Sequence, residues 1–367
     1  MAVNDFLPWA TGVGALVEPQ ASYLTDPAVV VGVSPGLANP SLANKTWRQS
    51  SAVAAMIGQF IANQNINALD DGNVSELLTN YGTALGLYLA SVTSSNPNAI
   101  IRQRLQAGTS LYVTPSGSDS NPGTSTQPWQ TLQHAYNIVS SSYDFVGQNI
   151  IVQCSGNFTQ GVLAFGQLVG ATGGGNLVFN FAAGSTVQVS NQACFLAFNG
   201  TELSIQGSVL FTSVTGAGTL VGAGSAIWSG NGANVSLQST GITFGACSVS
   251  HLTANNGAIG FGAGYSITGG ATSHYLAQSG GGSISSQAGT PGVITLVGTP
   301  GFSNAFAVAS LAGQLSLPSS GMSFSGAATG PRFLHASNGI INTAGGGPSF
   351  FPGNAAGIAG TPPGLYL

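Results

Sequence analysis

Charge is what this chain has least of: five basic and nine acidic side chains among 367 residues, 4% of the total, where an ordinary soluble domain carries about 25%. Lys45 is the only lysine. With no basic stripe to neutralise phosphates, nucleic acid is not an expected partner. Low charge also argues against disorder, which goes with high net charge and few hydrophobic residues. Here 43% of residues are hydrophobic and the mean hydropathy is +0.30. No apolar run reaches the ~18 residues of a spanning helix, so membrane insertion is not expected. The opening Met1–Asp5 has no basic stretch ahead of an apolar one, which speaks against a secretory signal. Cysteine is scarce as well. Cys154, Cys194 and Cys247 are odd in number, widely spaced and set in apolar runs, a pattern that reads as buried free thiols. Glycine is plentiful at 55 residues, but without the strict third-residue period of collagen.

The few charges are unevenly placed. Residues 1–104 hold six acids together with Lys45, Arg48, Arg102 and Arg104; beyond them stand only Asp119, Asp144, Glu202 and Arg332. This suggests a boundary near residue 109. In residues 1–44, Pro8, Pro19, Pro27, Pro35 and Pro40 interrupt any regular element. The reading is an extended arm, with a short strand near Val29–Val33, that lies against another protein. From Lys45 the pattern is helical, with Val53, Ile57, Phe60 and Ile61 on one stripe. A second helix is expected from Asn73, with Glu76 as capping partner and Leu77, Tyr81, Leu85 and Leu89 as its stripe. Asp70-Asp71-Gly72 makes the turn between them, and residues 91–110 read as linker followed by a short amphipathic piece, Ile100–Leu105. Two such helices make a thin core that packing across a symmetry axis would complete.

Beyond Leu111 the helical period gives way to short β-branched and apolar runs separated by Gly, Ser, Asn and Ala. The runs start near 150, 177, 203, 235, 293 and 315. The wide interval from 235 to 293 has room for one more, at Tyr265–Thr268. A loose period in the twenties to low thirties, with no helices between strands, predicts stacked coils, a β-helix, rather than a sandwich.

Tyr112-Val-Thr-Pro-Ser-Gly-Ser-Asp-Ser-Asn-Pro-Gly-Thr124, followed by Pro128-Trp-Gln-Thr-Leu-Gln-His-Ala135, resembles the opening motif of phage tailspikes and tail fibres built on a right-handed parallel β-helix. In that family the first segment is a structured turn, and the second opens a short helix that caps the mouth. The spacing agrees, since Leu132, Ala135, Tyr136 and Val139 fall on one helical face. Met1–Gly12 and Lys45–Leu89 resemble the virion-attachment module of such fibres, and Gly330–Ala336 through Pro352–Gly357 to Tyr366 is similar to their closing segment. The resemblance touches about half the chain. It implies a mainly β homotrimer of the phage tail, in which residues 1–109 dock on tail, baseplate or adaptor proteins. The β-helix body of 110–367, with a cap at 112–145 and a closing segment at 330–367, would face the host surface.

Some members of that family cleave bacterial polysaccharide, so the chemistry has to be read residue by residue. Hydrolysis ordinarily needs two carboxylates roughly 5–10 Å apart, and a lyase needs a basic residue and commonly acidic metal ligands. From Phe145 onward there are only Glu202 and Arg332. The expectation is adhesion without catalysis, with no cofactor and no metal; a depolymerase with a site shared between subunits, and a structural connector for another fibre, are the alternatives. His134, His251, His274 and His335 show no metal spacing. The glycines from Gly216 to Gly224 mimic a phosphate cradle but lack its strand–turn–helix context. Asp119, with Ser118, Ser120 and Asn121, reads as a side-chain-to-backbone turn rather than a calcium site. Trp228, His251, Tyr265, His274 and Tyr275 are the candidates for a host-glycan surface, with core packing as the competing reading.

Overall fold

The computed structural model describes residues 2–33, 35–95, 102–214, 221–286 and 292–367. It divides into two compact units, Met1–Ile101 and Arg102–Leu367. Residues 102–109 belong to the second: Gln103–Arg104 pair with Tyr143–Asp144, and Leu105 enters the main core.

Among its described residues the first unit has four helices: α1 (Gln20–Tyr23), α2 (Pro27–Val31), α3 (Pro40–Asn63) and α4 (Val74–Ser95). The strand expected near Val29–Val33 is instead helix α2. Asp26 accepts from the Ala28 amide at 2.8 Å and Pro27 fills the first helical position, so a cap and a preset φ outweigh the β-branched valines. Helix α3 starts ahead of Lys45, because the Asn39 side chain accepts from the amides of Ser41 and Leu42. Asn73 caps α4 as expected: its Oδ1 accepts from the Glu76 amide at 3.2 Å, and its Nδ2 donates to Glu76 Oε2 at 3.0 Å. The expected linker from Ser91 begins as helix, with the Ser91 hydroxyl turned back to the Tyr88 carbonyl at 2.7 Å; residues 96–101 lie outside the described ones.

The front of the arm lies along its own chain rather than only against a partner. Asn4 bridges to Ala68, the Trp9 amide donates to Ser51 Oγ at 2.7 Å, and the Trp9 indole donates to Asn44 Oδ1 at 3.1 Å. Gly58 of α3 makes room for this, since a Cβ there would lie 2.1 Å from Asn4 Oδ1. The core of the unit is small: Ile61, Ala68 and Ala84, lined by Phe6, Phe60, Ile66 and Leu77. The rest of both stripes, Val53, Ile57, Tyr81, Leu85 and Leu89, stays exposed.

The second unit is a parallel β solenoid. The coils run through three faces, with Leu177–Ser190 and Glu202–Val214 each crossing the first two as one strand, and the strands hydrogen-bond in parallel to their counterparts one coil on. On the first face Leu203, Val235, Ile259, Ile284, Leu315, Ile341 and Tyr366 stack in register. On the second face the stack is Phe158, Val187, Phe211, Phe244, Ile267 and Leu296. On the third it is Val162, Phe195, Ile227, Leu252, Tyr275, Ala307 and Phe333. Like residues therefore lie over like in one continuous core. Each fully buried large side chain contributes about 1.5–3 kcal/mol by leaving water.

The runs expected at Tyr265–Thr268 and Val293–Val297 are strands (Ser266–Ile267 and Val293–Leu296), but they belong to the second face, whereas those at 235 and 315 belong to the first. The irregular spacing came from merging two ladders. A tighter signal marks the turn from the third face to the first. Asn199, Asn231 and Asn256 all take positive φ there, near 50°, and Gly200 and Gly232 follow at 76°, a conformation that Asn and Gly adopt at least cost.

Both ends are closed. At the front, helix α5 (Leu132–Ser142) buries Leu132, Ala135, Tyr136 and Val139, the face the sequence indicates. At the far end, Phe351 packs on Phe306 and Phe324 with ring centroids 6.1 and 5.9 Å away. The Tyr366 hydroxyl holds that segment by donating to the Gly347 carbonyl at 2.6 Å.

Candidate functional site

The five side chains expected to present a glycan surface are all inside. Trp228 is 6% exposed, Tyr265 2%, and His251, His274 and Tyr275 are fully buried. Trp228 lies on the outer side of the third face but is covered: a Cβ on Gly222 would sit 3.0 Å from its ring, and Ala193, Leu196 and Phe198 complete the cluster. The other four satisfy one another's polar atoms, which is what lets polar rings sit in an apolar core. Their signal was in the spacing, for His251 and His274 stand one coil apart, flanked by the register pairs Ser250–Ser273 and Leu252–Tyr275.

The geometry of this group allows one proton arrangement. His251 Nε2 lies 2.9 Å from the Gly245 carbonyl and must donate to it. Its Nδ1 then accepts from His274 Nδ1 at 2.8 Å. His274 Nε2 is left to accept from the Tyr265 hydroxyl at 2.8 Å, and Tyr265 oxygen accepts from Tyr275 at 2.6 Å. Every donor thus points along one path, from Tyr275 to Gly245, with both imidazoles neutral. Burial drives this: it lowers the His251 pKa to about 3 against the opposing bond to Gly245, and lowers His274 well below the ordinary range, with His251 adding to the effect. The group is a structural strut with no opening to substrate.

The remaining chemistry-bearing residues stand apart. Asp119 Oδ1 accepts from the amides of Gln130 and Thr131 at 2.8 and 2.9 Å, and Oδ2 accepts from the Thr131 hydroxyl at 2.7 Å. It ties the opening turn to the start of α5 rather than closing its own turn. Desolvation raises its pKa, but these bonds and His134 outweigh that and hold it below the ordinary value. Asp144 accepts from the Val146 amide at 3.2 Å and lies against Gly170; Glu202 lies beside Gly173, so one loop separates the two acids. His134 packs on Trp129, and His335 on Phe333. The three cysteines are free and buried, and desolvation pushes the Cys247 thiol up to about 12. Among the described residues no three His, Cys, Asp or Glu side chains gather as a metal would need. Of the glycine run, residues 215–220 lie outside the described ones, while Gly222 and Gly224 sit in a turn with positive φ.

What the sequence did not single out is a groove where α5 meets the third face. It has a volume of about 560 Å³ and is lined by Gln133, Tyr136, Asn137, Ser140, Gln160, Gly161, Leu163, Phe165 and Gln192. Gln133 builds one wall. Its Oε1 accepts from the Leu163 amide at 2.7 Å and its Nε2 donates to the Leu163 carbonyl at 3.1 Å, so a side chain stands in for the missing neighbour of an outermost strand. The Tyr136 hydroxyl donates to the Phe165 carbonyl at 3.1 Å on the same edge. Phe165 is 55% exposed and held edge-on by Phe198 at 5.9 Å. The lining offers amides, hydroxyls and one aromatic face, and none of it is charged. Its signal was faint: Gln133 is one polar residue within the capping motif, and Phe165 reads as one more apolar strand residue. No family model matches this chain, and neither a curated protein nor a solved structure matches it.

Proposed function

We propose that this chain is a tail fibre- or tailspike-like protein of a phage virion, which docks on the tail through its first unit and contacts the host surface, without catalysis, through its solenoid. The reading has the body as a right-handed coil and the assembly as a homotrimer. The observation that carries it is the contrast between the units. The first leaves Val53, Ile57, Leu78, Leu85 and Tyr88 exposed over a three-residue buried core, as a segment completed by partners would. The second buries a continuous core and is closed at both ends. Its outer chemistry is amide and hydroxyl, as on the first face, where Ser204, Gln206, Asn234, Ser236 and Gln238 line a shallow groove. Such a surface suits neutral glycans, which are bound by hydrogen bonds and aromatic stacking. The motif that resembles tailspikes, Tyr112–Ala135, forms a turn pinned by Asp119 to the capping helix, in keeping with the role the resemblance implies.

The test is competition. Purified full-length chain should block adsorption of the phage that encodes it, and should release no new reducing ends from the host's polysaccharide. Failure to block adsorption would overturn the adhesion reading, and release of reducing ends would overturn the non-catalytic one.

A further inference from the structure

We infer that the groove between α5 and the third face is a saccharide site that takes a short stretch of neutral glycan; this rests on the adhesion reading above and names its place. Four observations carry it. The volume, about 560 Å³, lies in the range of small-ligand sites, about 300–1,000 Å³. No lining side chain is charged, so nothing there would pair with the carboxylates or sulfates of an acidic polymer. Phe165 leaves more than half its surface in water, while Phe198 packs edge-on and fixes its direction, which gives a preoriented ring for a sugar to stack on. Asn137, Gln160 and Gln192, from three separate stretches of chain, share the lining with that ring, and Asn137 Oδ1 accepts from Gln133 Nε2 at 2.9 Å.

The same geometry disfavours a peptide. An extended peptide would bind by adding a strand to the free edge, but Gln133 already occupies both the amide and the carbonyl of Leu163 on that edge. A sugar needs no such edge, because its hydroxyls both donate to and accept from amides. Gln133 is therefore a positioning residue, and Phe165, Asn137, Gln160 and Gln192 are the contacts.

The experiment applies the full chain to an array of purified neutral and acidic bacterial surface polysaccharides, with immobilised random peptides alongside. The expected result is binding to one or more neutral polysaccharides, weakened about tenfold or more by Phe165→Ala, as loss of a central aromatic contact would do, and severalfold by Gln192→Ala. Phe165→Tyr, which keeps the ring, and Gln314→Ala, exposed on the first face and outside both grooves, should bind as the parent does. Circular dichroism melts confirm that each variant is folded. If neutral polysaccharides bind and the folded Phe165→Ala and Gln192→Ala variants bind equally well, the site is wrong and the adhesion reading stands. If no polysaccharide binds, the inference fails, and blocking of adsorption by the same chain decides whether the adhesion reading stands. Binding only to acidic polysaccharides, or only to peptides, overturns the inference.

Discussion

The Nδ1 atoms of His251 and His274 lie 2.8 Å apart in the middle of the solenoid core, so one ring must carry the proton that the other accepts. A second proton on either ring would put a positive charge in a fully buried site, where desolvation opposes it. His251 and His274 are both held neutral, the former with a pKa of about 3. An unfolded chain titrates histidine near 6.5. As pH falls below that value the unfolded state takes up protons that the native state refuses. The stabilisation from neutral burial is thus complete above about 6.5 and erodes as pH falls towards 3, by about 1.4 kcal/mol per pH unit for each histidine. The midpoint of urea unfolding of the full chain should drop between pH 6.5 and 5, before most carboxylates titrate. A midpoint that stays flat across that window would show that these imidazoles do not hold their neutral form.

The direction of the chain of donors makes a sharper prediction. Tyr275 only donates, at its head, so Tyr275→Phe removes one bond and leaves the Tyr265 oxygen one donor short. Tyr265→Phe strands two groups, the His274 Nε2 acceptor and the Tyr275 hydroxyl. Buried orphans cost about 1–3 kcal/mol each, against about 1 kcal/mol for a bond lost without one. Urea unfolding should rank Tyr265→Phe as clearly more damaging than Tyr275→Phe. The reverse order would mean that Tyr265 is not the shared partner of His274 and Tyr275.

How much of this was legible in the sequence depends on which period each element obeys. The face of α5 was readable because Leu132, Ala135, Tyr136 and Val139 obey the helical repeat and nothing in the tertiary structure overrides it. The coils were readable as repeats but not as faces. Val293 and Val235 look alike, yet they stack on different ladders, and only the recurring turns at Asn199, Asn231 and Asn256 fix the phase. Of the two readings open for the candidate glycan residues, core packing is the one the burial supports, because Tyr265, Tyr275 and the two histidines are polar groups that satisfy each other. The groove could not be read at all. Gln133, Phe165 and Gln192 come together only through stacking of neighbouring coils.

Asp119 offers a local test of the cap. With three hydrogen bonds running to Gln130 and Thr131, Asp119→Ala should loosen the start of α5 and speed hydrogen exchange at those two amides, leaving the far coils unchanged. The carboxylate is held below its ordinary pKa, so its contribution is present above the ordinary value near 3.8 and is lost as pH falls through the lowered one. Unchanged exchange at Gln130 and Thr131 would show that the helix start is held by other contacts.

Glu202 tests the absence of catalysis. It shares a small recess with Gln167, Leu168, Ala171, Thr172 and Gly200, while Asp144 lies against Gly170. Glu202→Gln should leave adsorption to host cells within about twofold of the parent, as expected for a surface group outside the binding contacts. A hundredfold loss of any polysaccharide-cleaving activity in that variant, with the fold intact, would make Glu202 catalytic.

The last prediction concerns which unit can stand alone. The core of the second unit is continuous from Leu105 to Phe351, with α5 over one end and Phe350–Phe351 over the other. Stacked coils draw their stability from their neighbours and need only capped ends. Residues 102–367 should therefore fold without the rest, giving a β-type circular dichroism spectrum and a cooperative melt. Among its described residues, the buried apolar core of the first unit is Ile61, Ala68 and Ala84, too little to offset the ordering of its helices, at about 1–2 kcal/mol per residue. Residues 1–101 alone should melt at a temperature that rises with protein concentration, because association with further copies is what covers Val53, Ile57 and Leu85. In a phage, the truncated body should be missing from purified particles when it replaces the full chain. A concentration-independent melt of the isolated first unit would show that its exposed stripes need no second copy, and recovery of the truncated body in virions would move the docking surface to the solenoid.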